Sequence, residues 1–340
     1  MSKILVTGGT GYIGSHTCIE LVNDGHDVFI IDNLSNSRIE VLDTIEKLSG
    51  IRPTFEKFDL LDAEKVDTFI AKYKIDAIIH FAAFKAVGES VAQPMKYYKN
   101  NLMSLTNVVE SMMKYDVENI VFSSSATVYG QPDVLPATEE TPWKPAESPY
   151  GATKQMGEEI LKSATIPTDN LKVIALRYFN PIGGHVSGEN GELPLGVPNN
   201  LMPFITQTGI GIREELKVFG SDYSTVDGTA VRDYIHVVDI AKAHVKAVER
   251  MIDKKADDKF EVFNLGTGNG FSVKQVIDSF ERTSGVKLNF CMAPRRGGDV
   301  EAIYASTEKA NKVLGWTAKS TLDEMTLSAW KWEQFLDKNK

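Results

Sequence analysis

Tyr150 and Lys154 stand four residues apart in the stretch SPYGATKQMGEE, residues 148–159. Ser148 is a good helix N-cap and Pro149 suits the first helical position. The spacing therefore places a phenol in the first turn of a predicted helix and an ammonium one turn on, along the same edge. Pairs of this kind commonly do no more than decorate a solvated face; the chemistry they could do is proton abstraction. A free phenol titrates near 10 and is a poor base at neutral pH. A cation about 4 Å away, at an effective dielectric near 20, contributes on the order of 4 kcal/mol, or up to roughly three pK units before desolvation opposes it. Lys154 could in this way hold Tyr150 as a phenolate, suited to taking a hydroxyl proton while a hydride leaves the same carbon.

Such a pair works only if the fold delivers it to a binding crevice. Short apolar runs rich in Val, Ile and Phe recur along the chain: KILVTGG, HDVFIID, PTFEKFD, IDAIIHFAA, VENIVFSSS, LKVIALRYF and KFEVFNLG. Near-continuous hydrophobicity in short strands is what a parallel sheet covered on both faces requires. Segments with helical spacing, such as YIGSHTCIELVNDG and LTNVVESMMKYD, lie between them. The alternation predicts an α/β protein with a doubly wound, mostly parallel Rossmann sheet. After RYFN the texture turns to Pro, Gly and Asn in PIGGHVSGENGELPLGVPNN, which reads as a binding loop. The expected organisation is a first domain over residues 1–180 and a smaller α/β substrate lobe, mainly residues 181–340. That lobe is discontinuous, because the run at 259–266 returns as a strand to the first domain.

VTGGTGYIG sets Gly8, Gly11 and Gly14 between the first strand and the first helix. Lacking Cβ atoms, they allow a tight turn and close approach of a pyrophosphate to unpaired N–H groups at a helix N-terminus. Asp32 ends the second strand about twenty residues on, where an acid accepts hydrogen bonds from an adenosine ribose and repels a 2′-phosphate. NAD is expected over NADP, with Arg38 nearby as a counter-signal, and a turn residue is the plain alternative for Asp32. Ser123, Ser124, Ser125 and Thr127 follow the fifth strand, at the carboxyl edge where an open parallel sheet binds ligands; turn capping must account for at least one of them. An oxidised nicotinamide there and the helix N-terminus would add to the pull of Lys154 on the phenol.

A formal charge of −9 over 340 residues supplies no field to draw in a polyanion, so neither nucleic acid nor an anionic membrane is expected as a partner. Cys18 and Cys291 lie far apart without a ligand-spaced histidine, which argues against a disulfide framework or a metal site and for a reducing, cytoplasmic setting. MSK runs straight into ILVTGG, too short an apolar stretch for a signal peptide or a membrane span. The six histidines are scattered singly and read as structural.

The glycine loop, the serines and the Tyr-x-x-x-Lys spacing together resemble the extended short-chain dehydrogenase/reductase superfamily. Within it the chain resembles the UDP-glucose (UDP-galactose) 4-epimerase family. VTGGTGYIGSHT, DNLSNS, HFAAFKAVGESV, FSSSATVYG, SPYGATK, LRYFNPIGGH, GVPNNLMPFI, DGTAVRDYIHVVD, FNLGTG and APRRGGD occur in that family's order across nearly the whole length. The resemblance implies reversible inversion at C4 of UDP-glucose and UDP-galactose through a 4-keto sugar, with tightly bound NAD+ taking and returning the hydride. It implies Tyr150 as base and acid, Lys154 as its partner on the nicotinamide ribose, and Ser125 on the sugar O4. Besides the glycines and these three, NAD contacts are implied for Tyr12, Ile13, Asp32, Asn33, Asp59, Leu60, Phe81, Ala82, Lys85, Asn100 and Phe179. Asn180, Asn200, Leu201, Val218, Phe219, Arg232, Arg296 and Asp299 are implied to hold the UDP-sugar, the two arginines clamping the diphosphate and Phe219 lying against the uracil. Ile303 falls where the family sets substrate width. It is neither a bulky aromatic nor a small residue, so N-acetylated UDP-hexosamines stay open. A homodimer is implied through helices containing NLMSLTNVVESMMKY and EEILKSA, although core packing explains Met103, Met112 and Met113 equally.

Three other functions fit parts of the pattern. A UDP-N-acetylglucosamine 4-epimerase would differ in substrate width, the property assigned to the position of Ile303. A sugar-nucleotide 4,6-dehydratase needs an added acid and base after the serines, where this chain has Ala126 and Thr127. A non-catalytic NAD-sensing regulator would have no use for Ser125, Tyr150 and Lys154 together.

Overall fold

The computed structural model describes residues 1–295 and 300–339. The first half of the chain alternates strand and helix, with two consecutive helices after its fourth strand. β1 (Lys3–Thr7), α1 (Tyr12–Asn23), β2 (Asp27–Asp32), α2 (Val41–Ser49), β3 (Thr54–Lys57), α3 (Ala63–Tyr73) and β4 (Ala77–His80) lead to α4 (Val87–Ala92) and the long α5 (Pro94–Lys114). β5 (Asn119–Ser125), α6 (Pro149–Ala164) and β6 (Lys172–Tyr178) follow, and then β7 (Asn180–Ile182) and α7 (Leu201–Gly209). The remainder comprises β8 (Leu216–Phe219), β9 (Val231–Arg232), β10 (Tyr234–His236), α8 (Val237–Ile252), β11 (Phe260–Leu265), β12 (Phe271–Ser272), α9 (Val273–Ser284), β13 (Phe290–Ala293), β14 (Ala302–Ile303) and α10 (Leu322–Lys338).

Seven strands form one sheet in the order β11-β6-β5-β4-β1-β2-β3, and every pairing in it is parallel. The apolar runs feed both faces by strict alternation. Ile4, Val6, Val28, Ile30, Ile79, Val121, Ile174 and Leu176 point into one core with α1, α2 and α8. Leu5, Phe29, Ile31, Ile78, Ile120, Phe122, Val173 and Ala175 point into the other with α3, α5 and α6. This is why the strands show no polar face in the sequence.

The order reverses between β1 and β4, so the crevice opens above their carboxyl ends, at the topological switch point. β11 pairs with β6 from Phe260↔Val173 to Leu265↔Tyr178, bringing late sequence back to the first sheet. A third core joins α7, α9 and α10 around Ile205, Ile277, Phe280, Met325 and Trp330. Three small ladders, β10 with β7, β13 with β8, and β12-β9-β14, edge that lobe where it meets the crevice. Among the described residues no helix is long and apolar enough to cross a membrane.

Candidate active site

α6 begins as its sequence dictates. Ser148 accepts the Gly151 N–H at 3.2 Å as N-cap, and Pro149 occupies the first turn. Gly157 lets the helix settle on β5, since a Cβ there would lie 2.6 Å from the Phe122 ring. The edge carrying Tyr150 and Lys154 thereby faces Ser123–Ser125. The Lys154 Nζ donates to the Ser123 carbonyl at 2.5 Å and lies 5.0 Å from the Phe122 ring centre and 5.9 Å from that of Tyr150. Lys154 is 4% exposed, which rules out a solvated helix face.

Burial opposes the attraction between Lys154 and Tyr150 that their spacing predicts. Burial pushes the Tyr150 phenol up to about 12, opposed by a hydrogen bond with Ser125. Burial also lowers the Lys154 ammonium to about 8, opposed by the charge of Glu158. Desolvation outweighs the attraction expected from spacing, and the ammonium directs its hydrogen bond to a carbonyl. A phenolate at this position needs further positive charge arriving with a ligand. Capping accounts for part of the serine run, as Ser125 Oγ accepts the Thr127 N–H, while Ser123 contacts the Tyr178 hydroxyl and Ser124 binds Glu158.

The other predicted cofactor residues line the same edge. Gly8 adopts φ +72°, and a Cβ on it would meet the Ala82 nitrogen at 3.0 Å; one on Gly14 would lie 2.3 Å from the Gly8 oxygen. The loop is packed backbone on backbone around Gly11, leaving a cradle only glycine can form. Tyr12 opens α1 and donates to the Gly183 carbonyl at 2.6 Å, and Ile13 packs on the core behind it. Asp32 accepts the Thr10 and Leu34 N–H groups at 3.3 and 2.8 Å, so the turn-residue alternative also describes it. Asn33 donates to Asp59 at 2.9 Å, joining the ends of β2 and β3, with Leu60 buried beside them. Phe81 lies 4.6 Å from the His244 ring, and Ala82 N–H reaches Thr7 Oγ1 at 3.4 Å. Lys85 pairs with Glu192 at 3.1 Å. Asn100 donates to Asn101 at 3.0 Å, and Phe179 is buried next to the sheet edge. These groups fit a dinucleotide: a Cβ-free cradle, a helix N-terminus, and an acid at the end of β2.

In the second lobe, Asn180 starts β7, Asn200 caps α7 and donates to Glu192 at 2.7 Å, and Leu201 begins that helix. Val218 is buried on β8 while Phe219 at its end is 36% exposed. Arg232 lies on β9, opposite Ile303 of β14. Ile303 is buried in the same apolar cluster as Ala126 and Phe179. Arg296 and Asp299 lie outside the described residues. On either side of them Ala293 pairs with Phe219, and Ile303 pairs with Arg232.

Reading by motif missed the residues that hold this arrangement. Asp233 has no exposed surface, and its carboxylate accepts the N–H groups of Thr267, Gly268 and Ala305 and the Thr267 hydroxyl, fixing the strand that carries Arg232. Asn101 clamps the Phe84 N–H and carbonyl and donates to Thr153 on α6 at 3.1 Å. The one signal was a polar residue inside an apolar run, VRDYIH for Asp233. Met112 is core, whereas Met103 and Met113 are exposed, so the three methionines do not share one explanation.

Comparison with known proteins places this geometry. The family model described as GDP-mannose 4,6 dehydratase matches residues 5–328. A UDP-glucose 4-epimerase of Bacillus subtilis (strain 168) is 51% identical over 97% of this chain and 96% of its own. The chain belongs to the UDP-glucose 4-epimerase family. A UDP-glucose 4-epimerase of Drosophila melanogaster is 46% identical over 97% of this chain and 96% of its own. Among solved structures, the epimerase from Stenotrophomonas maltophila with bound NAD and formylated UDP-arabinopyranose superposes with a TM-score of 0.97 at 43% identity, covering both chains fully. That from Bifidobacterium longum, in complex with NAD+ and UDP, gives 0.95 at 44% identity, again over both full chains. In the turn after β5, where the sequence leads one to look for a dehydratase's acid and base, Ala126 is buried and Thr127 follows it.

Proposed function

We propose that this chain is an NAD-dependent isomerase that interconverts UDP-glucose and UDP-galactose by inverting C4. The observation that carries the reading is the juxtaposition of Ser125, hydrogen-bonded to Tyr150, with buried Lys154 at the carboxyl end of β5. When bound, NAD+ supplies a hydride acceptor and donor at the sugar's C4, and its positive ring adds the charge that burial denies the phenol. Tyr150 takes the O4 proton, Ser125 orients O4, and Lys154 holds the tyrosine and its surroundings in register. Inversion requires the 4-keto sugar to turn over so that C4 is reduced on its opposite face, with Tyr150 returning the proton to O4.

Residues 1–180 with the strand at 259–266 hold NAD in this reading, through Gly8, Gly11, Tyr12, Gly14, Asp32, Asn33 and Lys85. Residues 181–340 mainly hold the UDP-sugar, with Phe219 against the base and Arg232 on the diphosphate. UDP-glucose and UDP-galactose are the main pair, and Ile303 limits N-acetylated sugars. The exposed Met95, Met103 and Met113 of α5 fall within about 80° of one another at 100° per residue. With Met156 of α6 exposed as well, this supports a homodimer built on these helices. The charge balance and the absence of a membrane-spanning helix among the described residues are consistent with a cytoplasmic protein that binds neither nucleic acid nor membrane.

The test is to incubate purified protein with UDP-galactose, without added NAD, and follow UDP-glucose by chromatography. Equilibration of the two sugars with no net NADH is expected. Activity only after adding NAD+ would mean the cofactor is easily lost. No conversion even then, despite nucleotide-sugar binding, would overturn the assignment.

A further inference from the structure

Behind the phenol and ammonium lies a buried ion pair that the reaction above does not use. Glu158 stands one turn beyond Lys154 on α6 and is 1% exposed. Arg177 of β6 grips it with two hydrogen bonds, Nε to Oε1 at 2.9 Å and Nη2 to Oε2 at 2.6 Å, and the Ser124 hydroxyl donates to Oε1. Arg177 also donates to the Tyr129 hydroxyl at 3.0 Å and the Glu139 carbonyl at 3.2 Å. Three successive rungs of α6 are thus engaged by three successive residues of β5: Tyr150 by Ser125, Lys154 by the Ser123 carbonyl, and Glu158 by Ser124. Replacing a buried ion pair by an apolar pair of similar volume is often neutral or stabilising, so stability alone does not account for this one. The ion pair therefore has to answer to something other than packing.

We propose that Glu158, oriented by Arg177 and Ser124, is a positioning residue for Lys154: it fixes the register of α6 on β5 and supplies the negative charge that keeps the ammonium protonated in a dry site. The proposal rests on the reading of Tyr150 and Lys154 as base and partner. Among the described residues around Lys154, no other anion takes that role. On its own helix stand Tyr150 and Glu158. β5 offers hydroxyls and a carbonyl, and β6 offers Tyr178 and the Arg177 cation. His80 of β4 is held neutral by burial and by Lys154 itself. Tyr129 lies in the turn after β5. Tyr97 of α5 donates to Glu89 of α4, and that carboxylate is already bound to Lys96. Glu158 is the charge that opposes the effect of burial on Lys154.

The test titrates Lys154 directly, by 13Cε-lysine NMR of the NAD-containing protein with Lys154→Met identifying the signal, alongside the pH profile of kcat. Wild-type epimerisation of UDP-galactose is measured first. A protein that holds NAD without converting the sugar sinks the functional reading and leaves the NMR titration to judge Glu158. Glu158→Gln is expected to lower the Lys154 midpoint by roughly one pH unit, as for removal of a unit charge one helical turn away. The alkaline limb of kcat should move down with it, with KM changed less than about twofold. Glu158→Asp should restore most of the shift. Arg177→Lys, which keeps the carboxylate charged, should lower the melting temperature yet leave the midpoint nearly in place. A wild-type midpoint in Glu158→Gln, or an equal shift in Arg177→Lys, overturns the proposal. If Glu158→Gln fails to fold, the double variant Glu158→Gln/Arg177→Met, which buries no unpaired guanidinium, is judged by the same midpoint.

Discussion

Gly14→Ala tests whether the nucleotide cradle is made by backbone contact. Gly14 is the third residue of α1, and an added Cβ would lie 2.3 Å from the Gly8 oxygen, 2.9 Å from the Gly9 Cα and 3.1 Å from the Gly8 carbonyl carbon. All three neighbours are main chain, so no side chain can swing aside, and the loop or the helix must move by roughly 1 Å. Overpacking of this kind costs about 1–3 kcal/mol, while alanine regains about 1 kcal/mol of helix propensity, for a net loss of up to about 2 kcal/mol. Each ~1.4 kcal/mol of distortion that the bound nucleotide has to reverse weakens its retention about tenfold. Urea melts and the NAD content of the purified protein measure the two effects. Gly88→Ala is the control. It lies in α4 with nothing within 4 Å of the added atom and should stabilise by about 0.5–1 kcal/mol with NAD unaffected. Wild-type stability and NAD content in Gly14→Ala would refute the reasoning, because the contact argument leaves no room for a methyl group.

Tyr150→Phe should lower epimerisation by at least about 10²-fold while NAD content is unchanged, and a variant that kept full activity would remove the base assignment. Burial lowers His16 and His80 to about 3 and His244 to about 4, below the roughly 6.5 of an unfolded chain. Depressed histidines bind protons only on unfolding, so stability is full above about pH 6.5 and falls toward pH 4, by up to about 1.4 kcal/mol per pH unit for each histidine. Urea midpoints from pH 7 to 5 check this, and a flat profile would contradict it; His244→Phe should remove about one proton from the slope. Met103→Glu, on the exposed face of α5, should convert a dimer to a monomer by size-exclusion chromatography with light scattering, and an unchanged mass would place any dimer contact elsewhere. Ile303→Ala should raise the rate on UDP-N-acetylgalactosamine relative to UDP-galactose by about tenfold, at a stability cost of about 2–4 kcal/mol for the cavity it leaves among Ala126 and Phe179. No relative gain would dismiss Ile303 as the limit on sugar width.

Some of this was settled by residue type and local spacing. The run VTGGTGYIG can hardly be anything but a strand, a tight turn and a helix start, because only glycine tolerates φ +72° with Ala82 against it, and Asp32 follows from the length of one βαβ unit. The Ser-Pro start put Tyr150 and Lys154 on one helix edge before any coordinates, since four residues is one turn. Unbroken apolar strands announced a sheet covered on both sides.

What the tertiary structure decided is everything that depends on depth and on distant partners. Spacing could set the attraction between Lys154 and Tyr150 but not its competitor, the desolvation that leaves the phenol near 12 and the ammonium near 8. Arg177 and Glu158 are nineteen positions apart and carry no motif, yet β6 lies beside β5 under α6, and the fold closes them into one buried pair. Asp233 likewise became a hub only when two separate segments, at Thr267–Gly268 and at Ala305, turned their N–H groups toward it. Sequence spells out contacts within a turn or a strand, whose geometry is fixed by covalent repeat. Charge balance in a dry interior is set by which elements the folded chain brings together.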